Sequence, residues 1–294
     1  MSLFTKLLTA QKSGCAIPTV GFGTWSIGGK KRDEGYDPKQ DKTDVRALHR
    51  ALEQGFIHFD TAEKYAEGHA ERLLGEAIGS VPRHKLFVTS KVGRANMHPG
   101  KIRRACEQSL ARLGTNYLDL YLLHQGTDDV PLEDLISAMD GLVESGLVRH
   151  IGVSNFALER LKRARELSAY GISCNQVHYS LVVREPERSG VLAYCQEQGI
   201  PLIAYRGVEK GRMADDPPEV LVRLAQKYGM TTTQIALAWL TSQETVGTLV
   251  FTRNPDHLAE NLGAFDFALE ADDVELLRRD FPGQVNASPS VPLS

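Results

Sequence analysis

Short apolar runs rich in strand-forming residues recur along the chain: 19–25 (TVGFGTW), 56–59 (FIHF), 86–90 (LFVTS), 118–123 (LDLYLL), 149–153 (RHIGV), 175–178 (NQVH), 202–205 (LIAY) and 247–251 (GTLVF). Their starts are 37, 30, 32, 31, 26, 27 and 45 residues apart, room each time for a helix and two loops. The segments between them carry helical periodicity. Val45, Leu48, Ala51 and Leu52 form one apolar stripe, with Gly55 as a stop. Residues 99–113 open on Pro99 and end before Gly114, and 132–145 end before Gly146. Eight βα units without a linker or a change of composition predict an α/β fold, a closed (β/α)8 TIM barrel forming a single domain over 1–294. A doubly wound open sheet has the same spacing and competes with it.

The remaining segments are additions to that barrel. Residues 4–18, with Ser13-Gly14 between two short alternating runs, predict an N-terminal β-hairpin ahead of the first barrel strand. Near the C-terminus, 217–228 and 231–242 read as two helices broken at Gly229, and 271–280 as a further helix. The polar Pro- and Ser-containing tail, 283–294, is expected to be poorly ordered and to add little bulk to any site.

Composition narrows the function. With 294 residues, 42% of them hydrophobic, the chain can bury a full core. Its 34 Lys and Arg against 37 Asp and Glu give a net charge of −3, without the broad positive field that nucleic acid requires. Cys15, Cys106, Cys174 and Cys195 form no C-x-x-C pair or metal-ligand cluster, so free thiols in a reducing compartment and no metal are expected. No signal-like or membrane-spanning apolar run occurs, which points to a cytoplasmic protein with no membrane partner. No heptad seam argues against a monomer.

In a (β/α)8 barrel the chemistry sits at the C-terminal ends of the strands. There the sequence places Asp60 after the second run, Tyr65 in the loop that follows, Lys91 after the third and His124 after the fourth. Singly, these are ordinary residues: a cap, a packed ring, a snorkelling cation, a core histidine. Together they form a proton-handling group. A phenol titrating near pH 10 becomes useful at neutral pH when a cation such as Lys91, held by Asp60, lies beside it. Neutral His124 can donate a hydrogen bond to a substrate oxygen. This set protonates a carbonyl oxygen while another group attacks the carbon, and with no G-x-S-x-G nucleophile, hydride from a nicotinamide is the natural second reactant.

At this point the sequence resembles the aldo-keto reductase superfamily, in a bacterial-type, short-loop form. GFGTW (21–25), FDTAEKYAEG (59–68), TSK (89–91), LDLYLLH (118–124), GVSNF (152–156), NQVHYS (175–180) and PDHLAENLGAF (255–265) occur in the family's order. The resemblance implies a catalytic tetrad of Asp60, Tyr65, Lys91 and His124, with Tyr65 the proton donor in reduction. It implies that Ser154, Asn155 and Gln176 bind the nicotinamide carboxamide and that Tyr205 stacks on the ring. Gly23, Thr24 and Trp25 would line the junction of cofactor and substrate, with Trp25, Tyr65 and His124 around the substrate. Glu260 and Asn261 would contact the adenine. Gly21 and Gly23 open a G-x-G, but Ser26 stands at the third glycine position, so the dinucleotide-fold fingerprint is not met.

Two departures bear on the cofactor. Arg206-Gly207-Val208 replaces the Ser-Pro-Leu that grips the pyrophosphate in many relatives, and Arg206 offers a phosphate clamp of its own. Phe251 and His257 stand where basic residues are common, leaving Arg253, beside Thr252, as the expected partner of a 2′-phosphate. NADP(H) is therefore favoured, with NAD(H) possible. The expected activity is reversible NAD(P)H-dependent reduction of small aldehydes or ketones in an open pocket, over which the 206–216 loop could fold. A nicotinamide-nucleotide-binding redox sensor or regulatory subunit is the alternative.

Overall fold

The computed structural model describes residues 6–29 and 38–294; positions 4 and 5 of the predicted hairpin lie outside them. Strands β1 (Leu7–Thr9) and β2 (Ala16–Pro18) pair antiparallel, with Leu8 opposite Ile17. Eight parallel strands follow: β3 (Val20–Gly23), β4 (His58–Asp60), β5 (Phe87–Val92), β6 (Leu118–Leu123), β7 (Val148–Ser154), β8 (Asn175–His178), β9 (Leu202–Tyr205) and β10 (Val246–Val250). They close into one barrel because β10 pairs with β3 as well as with β9. That closure removes the open-sheet competitor.

The helices form where the periodicity and the stop signals place them. The helix Pro99–Leu113 has proline in its first turn, donates its Gly100 N–H to the capping His98 ring and ends on Gly114 in the left-handed region at φ 65°. The helix Thr232–Thr241 opens with a reciprocal capping box between Thr231 and Gln234. Between helices and sheet lies the larger apolar core, which includes Phe22, Phe59, Val88 and Tyr121.

A second apolar cluster fills the inside of the barrel. Leu120, Leu122 and Ile203 from the strands and Cys174, just before β8, meet Ala10, Cys15 and Ile17 from the hairpin, so the hairpin plugs the N-terminal mouth. Above this floor the interior turns polar. His58 and Asp60 are two apart on β4, as Thr89 and Lys91 are on β5, and each pair shares the inner face. Gly21 makes room for them, since a Cβ there would lie 2.6 Å from His58 Nδ1. All four cysteines are buried free thiols; burial pushes Cys15, Cys106 and Cys195 up to about 12.

The tail departs from its expectation. Residues 283–294 pack back across the C-terminal face of the barrel. Val285 bridges to Val183, and the carboxylate of Glu185 accepts from the backbone N–H groups of Ser288 (2.8 Å) and Leu293 (3.1 Å). Ser294 N–H donates to the Asn155 carbonyl at 2.9 Å. A buried carboxylate satisfied by two backbone donors orders a segment whose composition alone reads as loose.

Candidate active site

A cavity of about 520 Å³ opens at the C-terminal ends of the strands. Lys91 is fully buried beneath it, and its ammonium uses all three protons: to Asp60 Oδ1 at 2.5 Å, to the Thr61 carbonyl at 2.8 Å and to the Tyr65 hydroxyl at 3.4 Å. Burial opposes the charge on Lys91, but Asp60 and Tyr65 outweigh it and hold its pKa above the usual lysine value. Burial likewise raises Tyr65, with Asp60 adding to it while Lys91 and Arg206 pull the other way; the phenol stays protonated at neutral pH. The Tyr65 and His124 rings meet edge to face at 5.6 Å. Asp60, Tyr65 and His124 face the cavity, and Lys91 supports them from behind.

Next to this group, at the ends of β7, β8 and β9, lies a set of amides and a clamped ring. Gln176 lines the cavity, and its Nε2 donates to Asp60 Oδ2 at 2.7 Å. Ser154 Oγ donates to the main-chain carbonyl of Gln176 at 2.8 Å and accepts from Asn155 Nδ2 at 2.9 Å. Tyr205 donates its hydroxyl to Asn155 Oδ1 at 2.7 Å and stacks on His178 at 5.5 Å, 21° from parallel. One face of Tyr205 is thus taken by His178. His178 in turn pairs with Glu209 and with Ser288 of the tail, at 3.0 and 2.8 Å. Nothing in the local sequence around His178 signals this role; its partners are 31 and 110 residues away.

The cavity then runs past Gly207 and Val208 to Thr252, His257, Glu260 and Asn261. Gly207 fits closely there: a Cβ would lie 2.5 Å from Leu240 Cδ1, so the Leu240 side chain would have to shift to admit one. The 206–216 loop does fold over the opening: Arg206 and Lys210 lie 5.4 and 5.0 Å from the centre of the Trp25 ring. Among the described residues, six of the seven non-glycine positions at positive φ belong to segments around this opening: Ala66, Glu67, Asn155, Arg206, Glu209 and Lys210. Backbone strain of about 1–3 kcal/mol each is characteristic of binding sites whose surroundings fix the conformation.

Besides Lys91, two residues expected at the cavity do not line it. Arg253 donates through Nε to Asp44 Oδ1 at 2.5 Å and through Nη2 to the Ser26 carbonyl. Asp44 is fully buried, and an unpaired carboxylate there would be costly, so it captures the guanidinium. Thr24 is also fully buried, its N–H on the Asp60 carbonyl at 2.9 Å, and supports the strand end from behind. Lys64 and Gln125, not among the residues expected from the sequence, line the cavity; each is adjacent in sequence to Tyr65 or His124, the one signal that could have found it. Val291 lines it too, so the tail adds bulk that its composition did not announce. Among the described residues no group of three or more His, Cys, Asp or Glu could hold a metal, and no helix is long and apolar enough to cross a membrane.

The model of the aldo/keto reductase family matches residues 19–279. The chain belongs to the aldo/keto reductase family. It is therefore an oxidoreductase acting on carbonyl groups. It is 35% identical to methylglyoxal reductase YeaE of Escherichia coli (strain K12), over 91% of this chain and 92% of that protein. Its fold resembles that of a thermostable aldo-keto reductase crystallised with the inhibitor epalrestat, with a TM-score of 0.88 and 38% identity, covering 93% of this chain and 99% of that one. An aldo/keto reductase from Klebsiella pneumoniae, crystallised with NADP and acetate, aligns with a TM-score of 0.83 and 32% identity over 98% and 99% of the two chains.

Proposed function

We propose that this aldo/keto reductase converts small aldehydes or ketones to alcohols, taking hydride from NADP(H), with NAD(H) a weaker donor, as a cytoplasmic monomer. The observation that carries the reading is the Tyr65 hydroxyl in the cavity wall, backed by an ammonium whose three protons are all engaged. The cavity suits an elongated nicotinamide dinucleotide: amide and hydroxyl groups and a clamped tyrosine ring at one end, Glu260 and Asn261 at the other. Ser154, Asn155 and Gln176 would hold the carboxamide, Tyr205 the ring, and Gly207, Val208, Thr252 and His257 the path to the adenosine. When bound, the nicotinamide supplies a hydride to the carbonyl carbon.

The chain's own residues handle the proton. His124 and Tyr65 orient the substrate oxygen. As negative charge grows on that oxygen, Tyr65 gives up its proton and the Lys91 ammonium offsets the phenolate left behind. Asp60 holds Lys91 charged and in place. Trp25 walls the substrate side. Hydride and proton together account for the two hydrogens of the alcohol.

The test is NADPH oxidation followed by absorbance across a panel of small aldehydes and ketones. Tyr65→Phe should lower kcat by about two to four orders of magnitude, the range of a positioned acid. Turnover surviving in that variant would remove Tyr65 as the proton donor, and aldehyde turnover without nicotinamide would overturn the reading as a whole.

A further inference from the structure

We propose that Arg206 is a specificity-determining residue that receives a carboxylate on the carbonyl substrate, so that acid-bearing aldehydes and ketones are this chain's preferred class. The inference rests on the carbonyl-reductase reading above and names its substrate class. Arg206 follows β9 with a left-handed backbone, φ 59°, and its side chain lines the cavity. Two contacts fix the guanidinium: the Trp25 ring, 5.4 Å from its central carbon, and Ser290 Oγ of the tail, which accepts from Nη1. Nε and Nη2 have no protein partner among the described residues. This differs from Arg253, whose Nε and Nη2 are spent on Asp44 and Ser26, and from Arg184, whose two terminal nitrogens are spent on Arg278 and Glu187. Glu209 is the nearby carboxylate, but its Oε1 already accepts from His178 and Ser180.

A guanidinium with one side held and the other open is a planar two-donor fork, the geometry that matches a carboxylate. Its position decides which anion it meets. Arg206 lies on the ring of Trp25, which lines the same cavity as Tyr65 and His124, and Val291, beside the Ser290 that holds Arg206, lines it too. An anion on Arg206 and a carbonyl oxygen at the Tyr65 hydroxyl would therefore occupy one cavity, on the side walled by Trp25. The competing anion is the pyrophosphate of the dinucleotide, and the experiment separates the two.

Steady-state kcat/KM with NADPH is measured for 4-oxobutanoate and for its methyl ester, which lacks the charge and adds one methyl group, in the wild type and in Arg206→Gln, Arg206→Lys and Arg206→Glu. NADPH affinity is measured separately by calorimetry. The wild type should prefer the acid, and the acid-to-ester ratio should fall by about tenfold or more in Arg206→Gln, as loss of a charge-assisted pair implies. It should fall less in Arg206→Lys, which keeps the charge without the fork, and invert in Arg206→Glu. An unchanged ratio in all three variants overturns the proposal. So does a loss of NADPH affinity equal to the loss in the ratio, which would assign Arg206 to the cofactor's phosphates. If the wild type reduces neither compound nor any neutral aldehyde, the carbonyl-reductase reading itself falls; reduction of the ester without preference for the acid overturns only the role of Arg206.

Discussion

Gln176 and Asp60, 116 residues apart, are joined by a 2.7 Å hydrogen bond at the top of the barrel. Asp60 thus serves two partners, Lys91 on one oxygen and Gln176 on the other. The groups proposed to hold the cofactor and to move the proton are therefore one connected network, and disturbing either end should be felt at the other.

Gln176→Leu should accordingly affect more than nicotinamide binding. It leaves a buried carboxylate oxygen without a donor, and stability should fall by about 1–3 kcal/mol, read by urea denaturation. Its kcat should fall along with its affinity for NADPH. A variant with raised KM for NADPH and wild-type kcat would separate the two functions.

Lys91→Met should be the most damaging single change inside the barrel. It strips a buried Asp60 of its counter-ion, which costs about 3–5 kcal/mol. The native Lys91 pKa lies above the unfolded value, so its stabilisation is complete below that unfolded value, about pH 10.4, and is lost as pH rises through the native one. The variant should show a shallower alkaline decline in Tm, whereas parallel alkaline limbs would mean that the ion pair contributes nothing to stability.

His58 sets part of the acid limit. Burial lowers its pKa to about 4, against about 6.5 in the unfolded chain, so between these values the unfolded state binds the extra proton. Its stabilisation is complete above pH 6.5 and is lost as pH falls towards 4, a difference of about 3 kcal/mol. His58→Gln keeps a polar partner for Thr89 Oγ1, 3.2 Å from the native ring, and should flatten the fall of Tm across that window. An equally steep fall in the variant would place the acid sensitivity elsewhere.

Arg253→Ala bears on the cofactor. Because the guanidinium neutralises the buried Asp44, the variant should lose stability, shown by a Tm lower by several degrees. The ratio of kcat/KM for NADPH over NADH should change less than about threefold, since a residue committed to Asp44 supplies little of the 2′-phosphate recognition. A tenfold collapse of that ratio at unchanged Tm would restore the role assigned to Arg253 from the sequence.

The sequence made the barrel legible because its signals are local. A strand, a helix and a stop residue such as Gly114 each announce themselves within a few positions, and eight repeats leave few arrangements open. The grouping of Asp60, Lys91 and His124, to which the proton chemistry is assigned by proposal, was legible for the same reason, since strand ends place them on one rim. What local pattern missed depends on distant partners. The tail is ordered by Glu185, 103 residues before Ser288, and Arg253 is claimed by Asp44, 209 residues earlier. Neither partner leaves a mark near the residue it controls.

The setting of Trp25 gives the protein a built-in optical probe. The chain has two tryptophans, and Trp239 is sealed in the core at 0% exposure, while Trp25 is 39% exposed at the mouth of the cavity between two cations. Emission from an indole in contact with water is red-shifted and easily quenched; that from a buried indole is neither. The two signals can be told apart without labels, and whatever enters the cavity announces itself in the colour and intensity of a single side chain.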